Sequence, residues 1–440
     1  MYSAKLERLL KSAGASIGDR VTVTKDGHNY SGTVLQRPDL GDGDALVIKL
    51  DNGYNIGLRP EALTVEKPAA HLGMGKTKAP TVAFRPDKPA IALIASGGTI
   101  ASRVDYGTGG VSAIEDPREF LFNVPELADT VNIRNLVKPF TKMSEDMDHT
   151  DWIALAKAAA KELAGGEGVI ITHGTDTLHY TAAALSFMLP SLPKPVILLG
   201  AQKSSDRGSS DAGMNLVCAA HAAISDIAEV AVCMHGTMND DHCLLIRGTK
   251  ARKMHTVRRD AFRPVNDTPL AKIWPSGKID KINRQARKRS DGEVVLDIKF
   301  EPKVAIVKAY PGSDPTVIDY LVSKGYKGFV IEAMGLGHVP TFAGRSWIET
   351  IKRHTKDGIP FVTTSQTIYG RINADVYTNL RMLYHGANAI PGEDMLTETA
   401  YVKLGWVLGH SADQAQVRKM MLTSVAGEIS ERSRSDTFLA

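Results

Sequence analysis

Cysteine is scarce: among 440 residues only Cys218, Cys233 and Cys243 occur, in apolar or mixed surroundings and with no CxxC pairing to histidine. An odd, dispersed set gives no disulfide framework, so reduced structural thiols in a reducing compartment are expected. No stretch approaches the roughly 18 unbroken apolar residues of a membrane span. The N-terminal MYSAKLERLLKSAG alternates charge and leucine like a short amphipathic helix and lacks the apolar core and cleavage site of a signal peptide. A soluble, cytoplasmic protein with no membrane association is therefore expected. His149, His173, His179, His235, His242 and His255 are scattered without HExxH-type spacing, and GxxxxGK[ST] is absent. Neither a metal site nor an ATP site is expected in this chain. No internal repeat and no low-complexity tract stands out. The net charge of +4 permits a polyanionic partner without demanding one.

What is present is globular: 43% apolar and 23% charged residues, in a chain long enough for two to four domains. Residues 17–65 are short β-branched runs cut by turn signals at Asp26-Gly27, Gly41 to Gly43 and Asn52-Gly53. That pattern predicts a small antiparallel β-barrel over 1–65. Residues 66–88, with Pro68, Gly73, Gly75, Pro80 and Pro86, lose the alternation and predict a linker. Beyond it, nearly all-apolar strands (90–95, 168–172, 195–200, 229–234) alternate with helices over 151–163, 177–189 and 211–224. This predicts an α/β unit over 89–290 with a parallel sheet covered on both faces, whose ligands sit beyond the strand carboxyl ends. After a polar, irregular segment 271–300 the rhythm restarts at KVAIVKAY, predicting a second, smaller α/β unit over 291–440. The basic run Lys278, Lys281, Arg284, Arg287, Lys288 and Arg289 has no aromatic stacking residue and is expected to be an exposed connection rather than an RNA contact.

Three features fall immediately after buried strands. Ser96-Gly97-Gly98-Thr99-Ile100 lets the backbone turn sharply and approach a ligand, and Thr99 brings a hydroxyl that can attack a carbonyl. Such a turn also serves simply to reverse the chain, or to hold a phosphate. Thr172-His173-Gly174-Thr175-Asp176-Thr177 places a hydroxyl and a carboxylate at a helix start, where an N-cap is the plainer role. Lys250-Ala251-Arg252-Lys253-Met254-His255-Thr256 is a cationic cluster that alone reads as a solvated face. Together they supply amide hydrolysis: a hydroxyl nucleophile needs a base, a lysine serves when deprotonated, and Asp176 can orient that lysine or bind an α-amino group.

SGGTIAS (96–102) and THGTDTLHYTAA (172–183) resemble the two signature motifs of the bacterial-type L-asparaginase (asparaginase/glutaminase) family, with similarity from about residue 90 onward. GAQKSSDRGSSDAGMNL (200–216), GTMNDDHCLLIRGTKARKMHTVRRDAF (236–262) and the extra N-terminal barrel resemble the D-subunit family of archaeal glutamyl-tRNA(Gln) amidotransferases. The resemblance implies a two-domain asparaginase-like fold behind the barrel. It implies Thr99 as acyl-forming nucleophile, Tyr106 as its hydrogen-bonding partner, Thr175, Asp176 and Lys253 as the remaining catalytic set, and Ser144 holding the substrate's α-carboxylate. Gly98 and Gly174 are expected in the substrate site, with backbone N–H groups near the glycine turns stabilising the oxyanion. Tyr106 lies close behind Thr99 on a short loop, and packing is its other possible role. His338 stands where periplasmic relatives carry an asparagine reaching a neighbouring subunit, and a structural or interface histidine is equally open. Ammonia from glutamine or asparagine would then pass to a GatE-like partner that binds glutamyl-tRNA(Gln), ATP and Mg, in a heterotetramer containing a homodimer of this chain. A free L-asparaginase and a silent assembly or tRNA-binding protein are the alternatives. The intact Thr, Thr-Asp and Lys set argues against the silent one.

Overall fold

The computed structural model describes residues 2–35, 43–50, 55–67, 85–97, 102–104, 111–113, 124, 126–203 and 210–438. The N-terminal unit begins with a helix, Ala4–Ser12, whose Ser3 side chain accepts from the Leu6 N–H. Strands β1 (Arg20–Lys25), β2 (His28–Val34), β3 (Leu46–Leu50), β4 (Asn55–Leu58) and β5 (Ala62–Lys67) follow, antiparallel in the order β4-β3-β2-β1-β5. The Asp26-Gly27 signal is the β1–β2 turn, with both residues at positive φ (50° and 75°), as a two-residue hairpin turn requires. Leu6 and Leu10 pack with Val21, Val23, Val34, Leu46 and Ile48, and the strands at both ends of the order add Ile56, Leu58, Leu63 and Val65 to that core.

The central unit contains β6 (Ala90–Ala95), the paired β7 (Ser102–Val104) and β8 (Val111–Ala113), β9 (Asn132–Val137), β10 (Val169–Thr172), β11 (Val196–Leu199) and β12 (Val230–His235). With β13 (Cys243–Arg247), β16 (Ala271–Ile273) and β17 (Ile279–Lys281) its main sheet has the order β17-β16-β13-β12-β11-β10-β6-β9. Strands β9, β6, β10, β11 and β12 are parallel; the inner four, β6, β10, β11 and β12, are almost wholly buried, which is why they read as apolar runs, whereas the edge strand β9 exposes Arg134 and Asn135. β13, β16 and β17 extend the sheet antiparallel, so it is mixed rather than parallel throughout. The 236–242 connection explains the change of sense: it is far shorter than the roughly dozen residues of a parallel crossover. From β6 the chain passes to β9 on one side, then returns to β10 on the other, so the β6–β10 boundary is the topological switch point. Helices His149–Leu163, Leu178–Met188 and Ala212–Ala223 cover the sheet.

Part of the irregular segment is thus sheet, and part of its basic run is fastened down. Arg287 donates to the Pro190 and Val425 carbonyls, and Arg289 to those of Glu167, Ala223 and Ser225. Arginines that saturate main-chain carbonyls are anchors rather than a loose connection.

β14 (Ala251–Lys253) and β15 (Phe262–Pro264) form a separate hairpin beside the main sheet. The last unit is a parallel sheet, β18 (Val304–Lys308), β19 (Gly328–Ala333), β20 (Phe361–Ser365) and β21 (Ile390–Pro391), in chain order. Alternate residues serve two cores. Phe329, Ile331 and Phe361 pack with Trp347 and Tyr384, while Val304, Val330, Val362 and Ile390 join the large core of the central unit. Helix Thr397–Leu408 lies between, packed on Leu178–Met188. Polar ties run across the same junction: the buried pair Lys250 to Asp394 (2.7 Å), the partly exposed Arg252 to Glu398 (2.9 Å), and Thr399 Oγ1 to the Thr249 carbonyl (2.9 Å).

Candidate active site

At the switch point β6 leads into Ser96-Gly97 and β10 ends in Thr172, with Ala95 and Thr172 paired. The Ser96 hydroxyl donates to the Thr172 carbonyl (2.8 Å), and the Lys142 N–H donates to the Ser96 carbonyl (3.1 Å). Gly97 is a forced choice: φ is +109°, and a Cβ there would stand 2.4 Å from the Lys142 carbonyl oxygen. Lys142 Nζ in turn pairs with Asp151 (2.8 Å), fixing the segment that leads to Ser144. Gly98, Thr99 and Tyr106 lie outside the described residues.

After β10 the chain turns through 173–177 into helix Leu178–Met188. Its N-cap is Thr177, whose side chain makes no cap bond and instead donates to the Ser144 carbonyl (2.7 Å). Thr175 and Asp176 are therefore not caps. Both face Lys253, which ends β14: its Nζ donates to Thr175 Oγ1 and to Asp176 Oδ1, each at 2.8 Å. The lysine side chain is 11% exposed and the aspartate 67%, so the hydroxyl–amine contact is sheltered while the carboxylate faces outward. The β14–β15 pairing, Lys253 with Phe262, and the Met254 N–H to Ala261 carbonyl bond (2.7 Å) hold the lysine's backbone.

Ser144 opens a short 3-10 turn, Ser144–Asp146, and is buried. It is seated against Gly174, where an added Cβ would meet Ser144 Cβ and Oγ at 2.7 Å. Gly174→Ala must displace either Ser144 or the 173–177 turn. It is expected to lower kcat/KM for amide hydrolysis by about tenfold to a hundredfold, measured by steady-state ammonia release, because displacements near 1 Å are costly in a preorganised site.

Two supports were not singled out in the sequence. Gly200, just past β11, leaves room for Thr175: a Cβ there would lie 2.7 Å from Thr175 Cγ2. A glycine immediately after an apolar strand was the available clue. His173 is fully buried, with Nδ1 2.7 Å from the Gly174 carbonyl and Nε2 2.8 Å from Thr181 Oγ1. Burial pushes its pKa down to about 4, against the smaller opposing pull of the Gly174 carbonyl, so the neutral ring donates from Nδ1 and accepts from Thr181. His179 is likewise pushed down to about 4 by burial, which outweighs nearby Glu398.

These two histidines predict a pH dependence of stability. Unfolded, each takes up a proton near pH 6.5; folded, neither does until about pH 4. Their contribution is intact above about 6.5 and is lost progressively as pH falls toward 4, on the order of 3 kcal/mol per histidine. Urea midpoints should be level from pH 8 to 6.5 and decline below, and His179→Gln should flatten that decline.

His338 lies in the last unit, where Nδ1 meets Asn379 Nδ2 (3.0 Å) and the ring tilts against Tyr377. Among the described residues no group of three or more His, Cys, Asp or Glu side chains is arranged to hold a metal, and no helix is long and apolar enough to cross a membrane.

Comparison with known proteins agrees with this architecture. Residues 90–287 match the family model for the asparaginase N-terminal domain, 303–421 that for the glutaminase/asparaginase C-terminal domain, and 15–67 that for the GatD N-terminal domain. The chain is 51% identical to the D subunit of glutamyl-tRNA(Gln) amidotransferase from Pyrococcus furiosus, over 99% of this chain and 100% of that one. With the corresponding D subunit from Methanopyrus kandleri it is 44% identical over 97% and 94%. Among solved structures, the thermostable L-asparaginase from Thermococcus kodakarensis superposes with a TM-score of 0.69 at 28% identity, covering 78% of this chain and all of that one.

Proposed function

Because the chain belongs to the family of glutamyl-tRNA(Gln) amidotransferase D subunits, built on asparaginase domains, we propose that it is the amide-hydrolysing subunit that supplies ammonia for converting Glu-tRNA(Gln) to Gln-tRNA(Gln). The observation that carries the chemistry is Lys253 Nζ, 2.8 Å from both Thr175 Oγ1 and Asp176 Oδ1 beside the switch point. A lysine held between a hydroxyl and a carboxylate in a strand-end crevice is suited to accept and return a proton.

In this reading Thr99 Oγ attacks the side-chain amide carbon of glutamine or asparagine, its proton passing through Thr175 to the Lys253 amine. Backbone N–H groups of the glycine turns stabilise the oxyanion. The proton is returned to the departing nitrogen, the C–N bond breaks, and ammonia leaves an acyl-threonine. Water, activated by the same base, adds to the ester and releases glutamate or aspartate. Ser144 binds the substrate α-carboxylate, with Gly98 and Gly174 shaping the site, and Tyr106 hydrogen-bonds the nucleophile. The barrel over 1–65, the linker 66–88 and the α/β units 89–290 and 291–440 are the corresponding domains. This chain uses no cofactor; ATP and Mg act on a GatE-like partner holding glutamyl-tRNA(Gln), within a cytoplasmic heterotetramer built on a homodimer of this chain.

The test is ammonia release from glutamine by the chain alone and with the partner, glutamyl-tRNA(Gln) and ATP. Stimulation together with formation of glutaminyl-tRNA is expected. Fast, partner-independent hydrolysis of asparagine with no transfer to tRNA would make the chain a free asparaginase instead.

A further inference from the structure

A chain of buried polar side chains joins the support beneath Thr175 to the support behind Lys253. Asn215, fully buried on helix Ala212–Ala223, donates from Nδ2 to the Gly200 carbonyl (3.0 Å) and to Asp211 Oδ2 (3.1 Å). Asp211, also fully buried, accepts the Gln202 and Lys203 N–H groups, each at 3.0 Å. The turn 200–203 is thereby held from one side, and Gly200 is the residue on which Thr175 rests. With its Nδ2 so committed, Asn215 presents Oδ1 as an acceptor, and His235 Nδ1 donates to it at 2.6 Å. The other ring nitrogen of His235 faces Asp240 Oδ1 (3.2 Å) and Arg259 Nη1 (3.4 Å). Arg259 itself pairs with Asp240. Arg259 and Arg263 belong to the segment that closes the β14–β15 hairpin, and Arg263 donates to the Gly236 carbonyl (2.9 Å) beside His235.

Arg259 and Arg263 thus clamp the Lys253 hairpin to the end of β12, while His235 and Asn215 clamp that same strand end to Gly200. A buried Asn–His pair costs desolvation that apolar side chains of equal size would avoid, and it is retained where every partner is satisfied and one geometry is specified. We infer that Asn215 and His235 are positioning residues for the amidohydrolase site: with Arg259 they fix the Lys253-to-Thr175 contact by referring both residues to one strand end. This rests on the reading of Lys253 and Thr175 as a proton-transfer pair.

The test compares His235→Leu, Arg259→Met and their double variant with wild type in the full complex, with Lys253→Met as control. The Arg259 side chain keeps 14% exposure where His235 has none, so its variant is the milder of the two and remains informative if the histidine variant fails to fold. Expected are a fall of about tenfold or more in kcat for ammonia release, KM for glutamine within about twofold, and a displaced pH–kcat limb. The double variant should be little worse than either single one, because one chain is broken only once. Lowered thermal stability with unchanged kcat per folded molecule and an unmoved pH limb would reduce the network to a structural tie and overturn the inference. Multiplicative losses would overturn it too. Full activity in Lys253→Met would instead remove the reading it rests on.

Discussion

Lys253→Met should lower kcat for ammonia release from glutamine by about 10²- to 10⁴-fold, the span usually lost with a positioned acid–base group. Methionine replaces the apolar stem of lysine and lacks only its terminal amine, so the β14–β15 hairpin and its Phe262 pairing should survive. What disappears is the amine that stands 2.8 Å from both Thr175 Oγ1 and Asp176 Oδ1. In the proposed reading the substrate's α-carboxylate is bound at Ser144 and not by that amine, so KM should change far less than kcat. Neighbouring cations give the internal control. Lys250 is tied to Asp394 and Arg252 to Glu398, so Arg252→Met should leave most of the activity.

The largest stability effect should come from a different lysine. Lys403 and Glu428 are both fully buried and 2.5 Å apart. Lys403 also donates to the Met421 and Thr423 carbonyls (2.9 and 2.7 Å), while Glu428 accepts the Val425 and Ala426 N–H groups. Burial opposes its ionisation, but Lys403 and those N–H groups outweigh burial and hold the Glu428 carboxyl below its ordinary range. Glu428→Gln keeps an acceptor for the N–H groups and strands the lysine charge. Such a loss costs on the order of 3–5 kcal/mol, whereas removing both charges costs much less than twice that. The urea midpoint of Glu428→Gln should therefore drop clearly, and Lys403→Met combined with Glu428→Gln should recover part of the drop. Because Lys403 sits on Thr397–Leu408, packed on the helix that follows Thr175 and Asp176, activity should be lost at a lower urea concentration as well.

The layered part of the fold was legible because burial on both faces leaves an unmistakable trace. AIALIA is β6, Ala90–Ala95, residue for residue, and the helix expected over 177–189 is Leu178–Met188. β16 and β17 were not legible: three-residue strands with polar residues outward carry too few positions for an alternation to register. The change from parallel to antiparallel at β13 was implicit in the short 236–242 connection, but two buried strands look alike whichever way they run. In the site, the glycine turns announced close approaches, and Gly97 and Gly174 make them, against Lys142 and Ser144. The cationic run was opaque by itself. Lys250, Arg252 and Lys253 part to three different carboxylates, and only resemblance singled out Lys253. Partners in contacts between distant segments, such as Thr175 over Gly200 or Asn215 with His235, are not written in any local pattern.

The most direct measurement is single-turnover ammonia release from glutamine by the wild-type chain and by Thr99→Ala, each bound to the partner with glutamyl-tRNA(Gln) and ATP. The account predicts a rapid burst of one ammonia per site in the wild type and none in the variant, with glutamine still bound. A burst of equal size and rate in Thr99→Ala would contradict a threonine nucleophile at the β6 turn, and with it the acyl-enzyme route.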